Sequence, residues 1–196
     1  MLARVMNVAN FRLMQVVMLV AQSLDGCITR GNVAGDAFTS AADKVHFKAM
    51  LRDCDACVMG TATYEESKDR LRPALLPGLR RVVRTRHPEA RLAETVPGVL
   101  EFTSESPEQI VARLREDGRQ RCALLGGGRT NDSFLRAGLV DEVQVTVESR
   151  IFGRGTPLAG VAADLDSPPL DVWLKLLEAR PLAAGGPLLL RYEVEK

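Results

Sequence analysis

Histidine, cysteine and excess charge are all scarce in this chain of 196 residues. Its four cysteines (Cys27, Cys54, Cys57, Cys122) are too few and too scattered for the disulfide framework of a small secreted domain. Cys54-x-x-Cys57 makes the one close pair. A zinc site would need two further ligands, and the two histidines, His46 and His87, lie in unrelated contexts. A redox pair at this spacing should open a helix, whereas Cys57 begins the apolar run Cys57-Val58-Met59. Buried or half-buried thiols are the expectation, and no metal. A formal net charge of +1 argues against nucleic acid or an anionic membrane as the main partner, because both demand a large basic surplus. No apolar run is long enough to span a bilayer. The run over 13–21, preceded by Arg4 and Arg12, superficially resembles a signal peptide. It is interrupted by Gln15 and passes straight into the turn Ser23-Leu24-Asp25-Gly26, so a first β-strand is the better reading and a cytoplasmic protein is expected. The H-x-E and P-C-x-x-C set of deaminases and the G-x-S-x-G elbow of hydrolases are missing too, which argues against both classes.

What remains is an ordinary globular composition, 46% apolar and 26% charged, long enough for one large domain. A domain of this size buries roughly 70% of its unfolded surface, so neither disulfides nor metals are needed to hold it. Residues 1–13 lack periodicity and read as a loosely held extension; 14–196 reads as the domain. Apolar runs alternate with amphipathic stretches, the pattern of a layered α/β fold. Strands are expected over 15–22, 56–59, 81–84, 99–102, 120–125 and around Val143, Val145 and Val147. The first strand is followed by a polar loop over 25–36. Ser40 then caps a helix running to about 52, with Asp43 at the N3 position reaching back as in a capping box and Val45, Phe47, Met50 and Leu51 as its buried stripe. Further helices are expected over 63–71, from Ser106-Pro107-Glu108-Gln109 onward, and over 130–137 with Gly138 as its stop. Gln144, Thr146 and Glu148 alternate with the valines, giving a strand with one polar and one apolar face. Segments 172–179 and 187–195, separated by Ala183-Ala184-Gly185-Gly186, read as an antiparallel hairpin at the sheet edge.

Leu124-Leu125-Gly126-Gly127-Gly128-Arg129-Thr130 places three glycines between a buried strand and a helix. Glycine permits close backbone approach, and the first N–H groups of the helix lie free beyond it, which together suit a pyrophosphate. A tight strand-to-helix turn is the competing reading, since the spacing is neither that of a Rossmann fingerprint nor of a P-loop. The neighbours of this run carry a resemblance. Gly126-Gly127-Gly128-Arg129-x-x-x-x-Phe134-Leu135 resembles the second glycine motif of dihydrofolate reductases. Val58-Met59-Gly60-Thr61-Ala62-Thr63-Tyr64-Glu65 resembles their first. Leu76-Pro77-Gly78 with Arg81-Val82-Val83-Arg84-Thr85-Arg86 resembles their turn and strand for the adenosine 2′-phosphate, and Val20-Ala21-Gln22-Ser23-Leu24-Asp25-Gly26-x-Ile28 their first strand and mobile loop. The matches fall in family order between about Met14 and Tyr192. Within this superfamily Ser-Leu-Asp-Gly, the Thr-Ser-x-x-Asp helix start and Phe152-Gly153-x-Gly155-x-Pro157-Leu158 look more like the riboflavin-biosynthesis reductase branch, which reduces a phosphoribosylaminouracil with NADPH and is commonly dimeric.

The resemblance implies a three-layer α/β/α fold with a mixed, mostly parallel sheet and the terminal hairpin. It implies NADPH as cofactor, a small-molecule substrate and a homodimer. Ala21 and Ile28 would flank the nicotinamide; Gly60, Thr61 and Thr63, together with Gly126, Gly127, Gly128, Arg129, Thr130 and Asn131, would hold the diphosphate, with a cis bond between Gly126 and Gly127. Thr85 and Arg86 would meet the 2′-phosphate, with Arg80, Arg81 and Arg84 crowding the same segment; a solvated basic strand end is the alternative. Asp43 would assist protonation of the group that receives hydride, or it is only a helix cap. Ser23, Asp25, His46 and Phe47 are the remaining candidates for substrate contact, although Asp25 suits turn formation equally and a lone histidine is often structural. The pattern also fails in places. The riboflavin reductases usually carry Glu directly before the glycine run, where Leu125 stands, and their Asp-Asp-Pro segment is replaced by Glu65-Glu66-Ser67-Lys68-Asp69. The cofactor half matches better than either substrate half. Hydride transfer to a C=N or C=O group is therefore the leading function, and an NADP(H)-binding or sensing dimer without turnover is the alternative.

Overall fold

The computed structural model describes residues 14–31, 33, 37–160 and 168–196. The extension expected at 1–13 and part of the loop over 25–36 lie outside the described residues. The chain runs β1 (Gln15–Ser23), α1 (Ala41–Arg52), β2 (Ala56–Gly60), α2 (Thr61–Ser67), β3 (Arg80–Arg84), a 3-10 segment (Pro88–Glu94), β4 (Leu100–Thr103), α3 (Pro107–Glu116), β5 (Arg121–Leu124), α4 (Gly128–Arg136), β6 (Glu142–Glu148), β7 (Leu174–Pro181) and β8 (Leu188–Val194). One eight-stranded sheet has the order β4-β3-β2-β5-β1-β6-β8-β7. Every pairing from β4 to β6 is parallel, and the last two are antiparallel.

Period-two alternation in β1, β2 and β5 sends successive side chains to opposite faces, and both faces are apolar. Val16, Met18, Val58 and Leu124 meet Ile110, Val111 and Leu114 of α3 and Phe134 of α4. Val17, Leu19, Met59 and Ala123 meet Leu51 of α1 and Tyr64 of α2. The fold is thus α/β/α, with α1 and α2 on one face and α3 and α4 on the other.

The order of connection explains where a site can form. From β1 the chain moves through β2 and β3 to β4, then returns through β5 to β6. Parallel crossovers are right-handed, so reversing the direction of travel puts the helices on the opposite face. β2 and β5 are neighbours, yet α2 and α4 leave them toward opposite faces. A crevice opens at the carboxyl ends of such strands.

Several expectations need correction. Val45 is 70% exposed, so the buried stripe of α1 reduces to Leu51 with Phe47 and Met50 half-buried. The helix after Gly60 begins at Thr61 and ends at Ser67, earlier at both ends than 63–71. β6 has the expected apolar and polar faces, and both are covered: Gln144, Thr146 and Glu148 are buried, and Val143 and Val145 pack in the core of their own chain. β6 lies between β1 and β8, and α1 covers its polar face. The three shielded cysteines behave as small hydrophobes. Burial pushes the Cys54 thiol up to about 11 and the Cys57 thiol to about 12.

Candidate functional site

The crevice is part of a cavity of about 830 Å3 bounded by the ends of β1, β2, β5 and β6, by α1, and by the starts of α2 and α4. Its first wall is main chain. The Gly60 N–H donates to the Gly126 carbonyl at 2.7 Å and the Leu125 N–H to the Val58 carbonyl at 2.9 Å, which extends the β2–β5 ladder into the turns. A Cβ at Gly60 would lie 2.9 Å from Thr130 Oγ1, closer than real side chains come. Gly126 has φ +88°, in the left-handed region that favours glycine. The Gly126–Gly127 peptide bond is cis.

Gly60 and Gly127 are the N-caps of α2 and α4, and neither helix has a side-chain cap. Free N–H groups with a partial positive charge therefore face one another across the glycines. Thr61, Ala62, Thr63 and Gly128 to Asn131 line the same wall. Asn131 Nδ2 donates to the Leu158 carbonyl, while its buried Oδ1 has no partner among the described residues. Two uncapped helix starts and a cradle that a Cβ would fill fit a diphosphate, while the orphaned Asn131 acceptor suits a donor such as a ribose hydroxyl of the same nucleotide.

The second wall is side chain. Asp43, His46 and Phe47 of α1 line it with Gln144 and Thr146 of β6 and with Leu71, Leu75 and Leu76. The Ser40 Oγ caps α1 by accepting the Asp43 N–H at 3.1 Å. The reciprocal half of the capping box is made by another residue: the Ser40 N–H donates to Glu148 Oε1 at 2.7 Å. The Asp43 carboxyl turns instead to Thr146 and Thr39. Burial raises its pKa above the ordinary carboxylate value; the Thr146 hydrogen bond opposes this, and the nearby charge of Glu148 adds to it. Gln144 Nε2 donates to Glu142 Oε1 at 2.8 Å, and Glu142 is paired with Arg191. A carboxylate only accepts, so the Gln144 carbonyl oxygen faces His46 Nε2 at 3.2 Å and that nitrogen carries a proton. The sequence marks none of Gln144, Thr146, Glu148 and these leucines as a site residue. The alternation of β6 named the face, but not that a helix would cover it.

The other candidates scatter. Ala21 and Ile28 line the cavity between the two walls. Ser23 and Asp25 do not line it. Ser23 is fully buried and donates to Asp25 Oδ1 at 2.5 Å, and the Asp25 carboxylate accepts the N–H groups of Phe152 and Gly153. These bonds hold the Asp25 pKa down to about 2. The pair ties the loop after β1 to the segment after β6, with Thr29 Oγ1 accepting from the Thr156 N–H and Phe38 stacked edge-on against Phe152 at 5.1 Å. Thr85 and Arg86 follow β3, beside the Thr61 hydroxyl that donates to the Arg84 carbonyl, and Arg86 is exposed. The other arginines of that segment are committed elsewhere. Arg80 pairs with Glu101 and Asp117, Arg81 is buried and donates to the carbonyls of Leu71, Leu79 and Leu76, and Arg84 donates to Ser133 Oγ on α4. Among the described residues no helix is long and apolar enough to cross a membrane.

A model of the RibD C-terminal domain matches residues 14–185. The chain belongs to this family. It is similar to the uncharacterised protein YwjB of Bacillus subtilis (strain 168), at 26% identity over 149 residues, 74% of this chain and 82% of that protein. The bifunctional diaminohydroxyphosphoribosylaminopyrimidine deaminase/5-amino-6-(5-phosphoribosylamino)uracil reductase of Thermotoga maritima superposes with a TM-score of 0.73 at 20% identity, over 94% of this chain and 57% of that one. A pyrimidine reductase-like protein of Corynebacterium diphtheriae superposes at 0.69 and 16% identity, covering 94% and 93%. At these identities the superpositions establish the shared RibD-type fold.

Proposed function

We propose that the chain is an NADPH-dependent oxidoreductase that reduces a C=N or C=O group of a small, pterin- or pyrimidine-like molecule. The observation that carries this reading is a single cavity joining the glycine cradle of α2 and α4 to a buried acid, Asp43. The names of the T. maritima and C. diphtheriae relatives agree with a reductase acting on pyrimidine-like rings. The nicotinamide supplies the hydride; this chain supplies orientation, exclusion of water and a proton. Gly60, Thr61 and Thr63, with Gly126 to Asn131, hold the diphosphate, while Ala21 and Ile28 bracket the nicotinamide. Thr85 and Arg86 receive the 2′-phosphate. Phe47 and the leucine wall bury the substrate ring, and His46 and Gln144 present a fixed donor to its polar edge. Asp43 delivers the proton. Ser23 and Asp25 act through the loop that carries Ile28 and Thr29.

Leu125 in the cavity wall favours a substrate other than the riboflavin precursor, because an apolar group stands where that branch usually keeps an acid. A homodimer over the outer edge of the sheet is supported by Trp173, Leu174, Leu176 and Leu177 on and beside β7, all exposed. The deciding experiment is titration with NADPH, followed by a screen of pterins, ribityl pyrimidines and small carbonyls read as cofactor oxidation. Tight binding with turnover on one class is expected. Tight binding without turnover on any class would favour the sensing module.

A further inference from the structure

Glu148 is one of the least exposed acids among the described residues, at 4% exposure, and it does not line the cavity. It is two residues from Thr146 on β6, so both side chains leave the sheet on the face covered by α1. Its Oε1 accepts the Ser40 N–H across 108 positions of sequence. In a capping box that N–H belongs to the acid at N3, here Asp43. An N3 carboxylate engaged in its own cap would be turned back along the helix and away from the cavity.

We propose that Glu148 is a positioning residue for Asp43: it takes over the helix cap, frees the Asp43 carboxyl to meet Thr146 and the cavity, and sets a second negative charge behind it. The inference rests on the reductase reading for its chemical meaning, but not for its geometry. Two acids in one low-dielectric pocket do not ionise together readily. Among the described residues the titratable groups that act on Asp43 are Glu148 from β6 and His46 from its own helix, the first opposing ionisation and the second favouring it. Arg150 reaches toward this corner but donates to the Phe38 carbonyl and lies over the Phe152 ring. The balance keeps a proton on Asp43 to a higher pH than an exposed aspartate would hold it. In turnover that proton passes from Asp43 Oδ to the nitrogen or oxygen of the double bond as the neighbouring carbon receives hydride. Asp43 is left as a carboxylate and recovers a proton from solvent.

The test is Glu148→Gln, whose amide oxygen still accepts the Ser40 N–H while the charge is gone. The titration of 13C-labelled aspartate carboxyls is followed in the protein without cofactor, with Asp43→Asn used for assignment. In Glu148→Gln the Asp43 signal is expected to titrate at lower pH than in wild type, with NADPH affinity unchanged. The alkaline fall of kcat/KM should move to lower pH, with a loss of about tenfold at neutral pH if the displacement reaches one pH unit. An unchanged Asp43 titration in the folded variant would overturn the proposal. If Glu148→Gln does not fold, the wild-type protein supplies a measurement: the Asp43 signal should titrate above the ordinary value of 3.8, and titration at or below that value overturns the proposal. A moved titration with no turnover on any substrate would retire the reductase reading while upholding the coupling of the two acids.

Discussion

Around Gly60 and Gly126 the cavity is walled by main chain, whereas around Asp43 it is walled by side chains brought from α1, β6 and the leucine segment after α2. The first wall is set by two adjacent parallel strands and the turns that follow them, so its shape follows from backbone geometry. The second depends on which side chains α1 lays over β6. A main-chain wall suits a ligand common to a whole family, because few substitutions alter it. A side-chain wall can be rebuilt residue by residue around different substrates.

The largest contrast is expected from Asp43→Asn. Turnover should fall by about 10²- to 10⁴-fold, the usual worth of a positioned proton donor, with NADPH affinity unchanged. The same change should raise the melting temperature at neutral pH. The folded pKa of Asp43 is raised, so its contribution to stability is full below the ordinary value of 3.8 and is lost as pH rises through the folded value. Asparagine removes that loss. Steady-state kinetics and calorimetry check both, and unchanged turnover would leave Asp43 without a chemical role.

Gly60→Ala and Gly126→Ala should do the reverse, damaging the main-chain wall alone. One meets Thr130 Oγ1, and the other demands a left-handed alanine. A strain of about 1–3 kcal/mol corresponds to roughly fivefold to 150-fold weaker NADPH binding, read by fluorescence titration. Binding within twofold of wild type in both variants would break the comparison. Arg86→Ala should cost about tenfold in NADPH affinity and leave NADH binding unchanged, because only one of the two carries the 2′-phosphate. Equal losses would remove that role. The smallest effect is expected from Asp25→Asn, as faster amide exchange at Phe152 and Gly153 with little change in turnover. In wild type the tie is present above 3.8 and is lost as pH falls through about 2.

The two walls also differed in how well they could be read from sequence. Gly60 and Gly126 stood out because only glycine satisfies the close approach and the positive φ there. The α/β alternation and the terminal hairpin were legible for a similar reason, since period and turn residues are local properties. Asp43 was legible as a candidate, but its two roles were not separable: the residue that takes the cap from it is 108 positions away. Gln144 and Thr146 read as the polar face of a strand, but their burial is not legible because it depends on what packs against that face. Arg81 read as one of the basic groups crowding the 2′-phosphate segment, although its guanidinium turns inward to the carbonyls of Leu71, Leu76 and Leu79. Such placements are decided by tertiary contact and leave no local mark.

Leu125 combines the properties of both walls. Its N–H is locked into the ladder with Val58, the next carbonyl accepts from Gly60, and its side chain faces the cavity. A position anchored through its backbone and open through its side chain works as an exchangeable fitting. Descendants of one ancestor can change what stands there and drift to new metabolites while the nucleotide platform beneath remains as inherited.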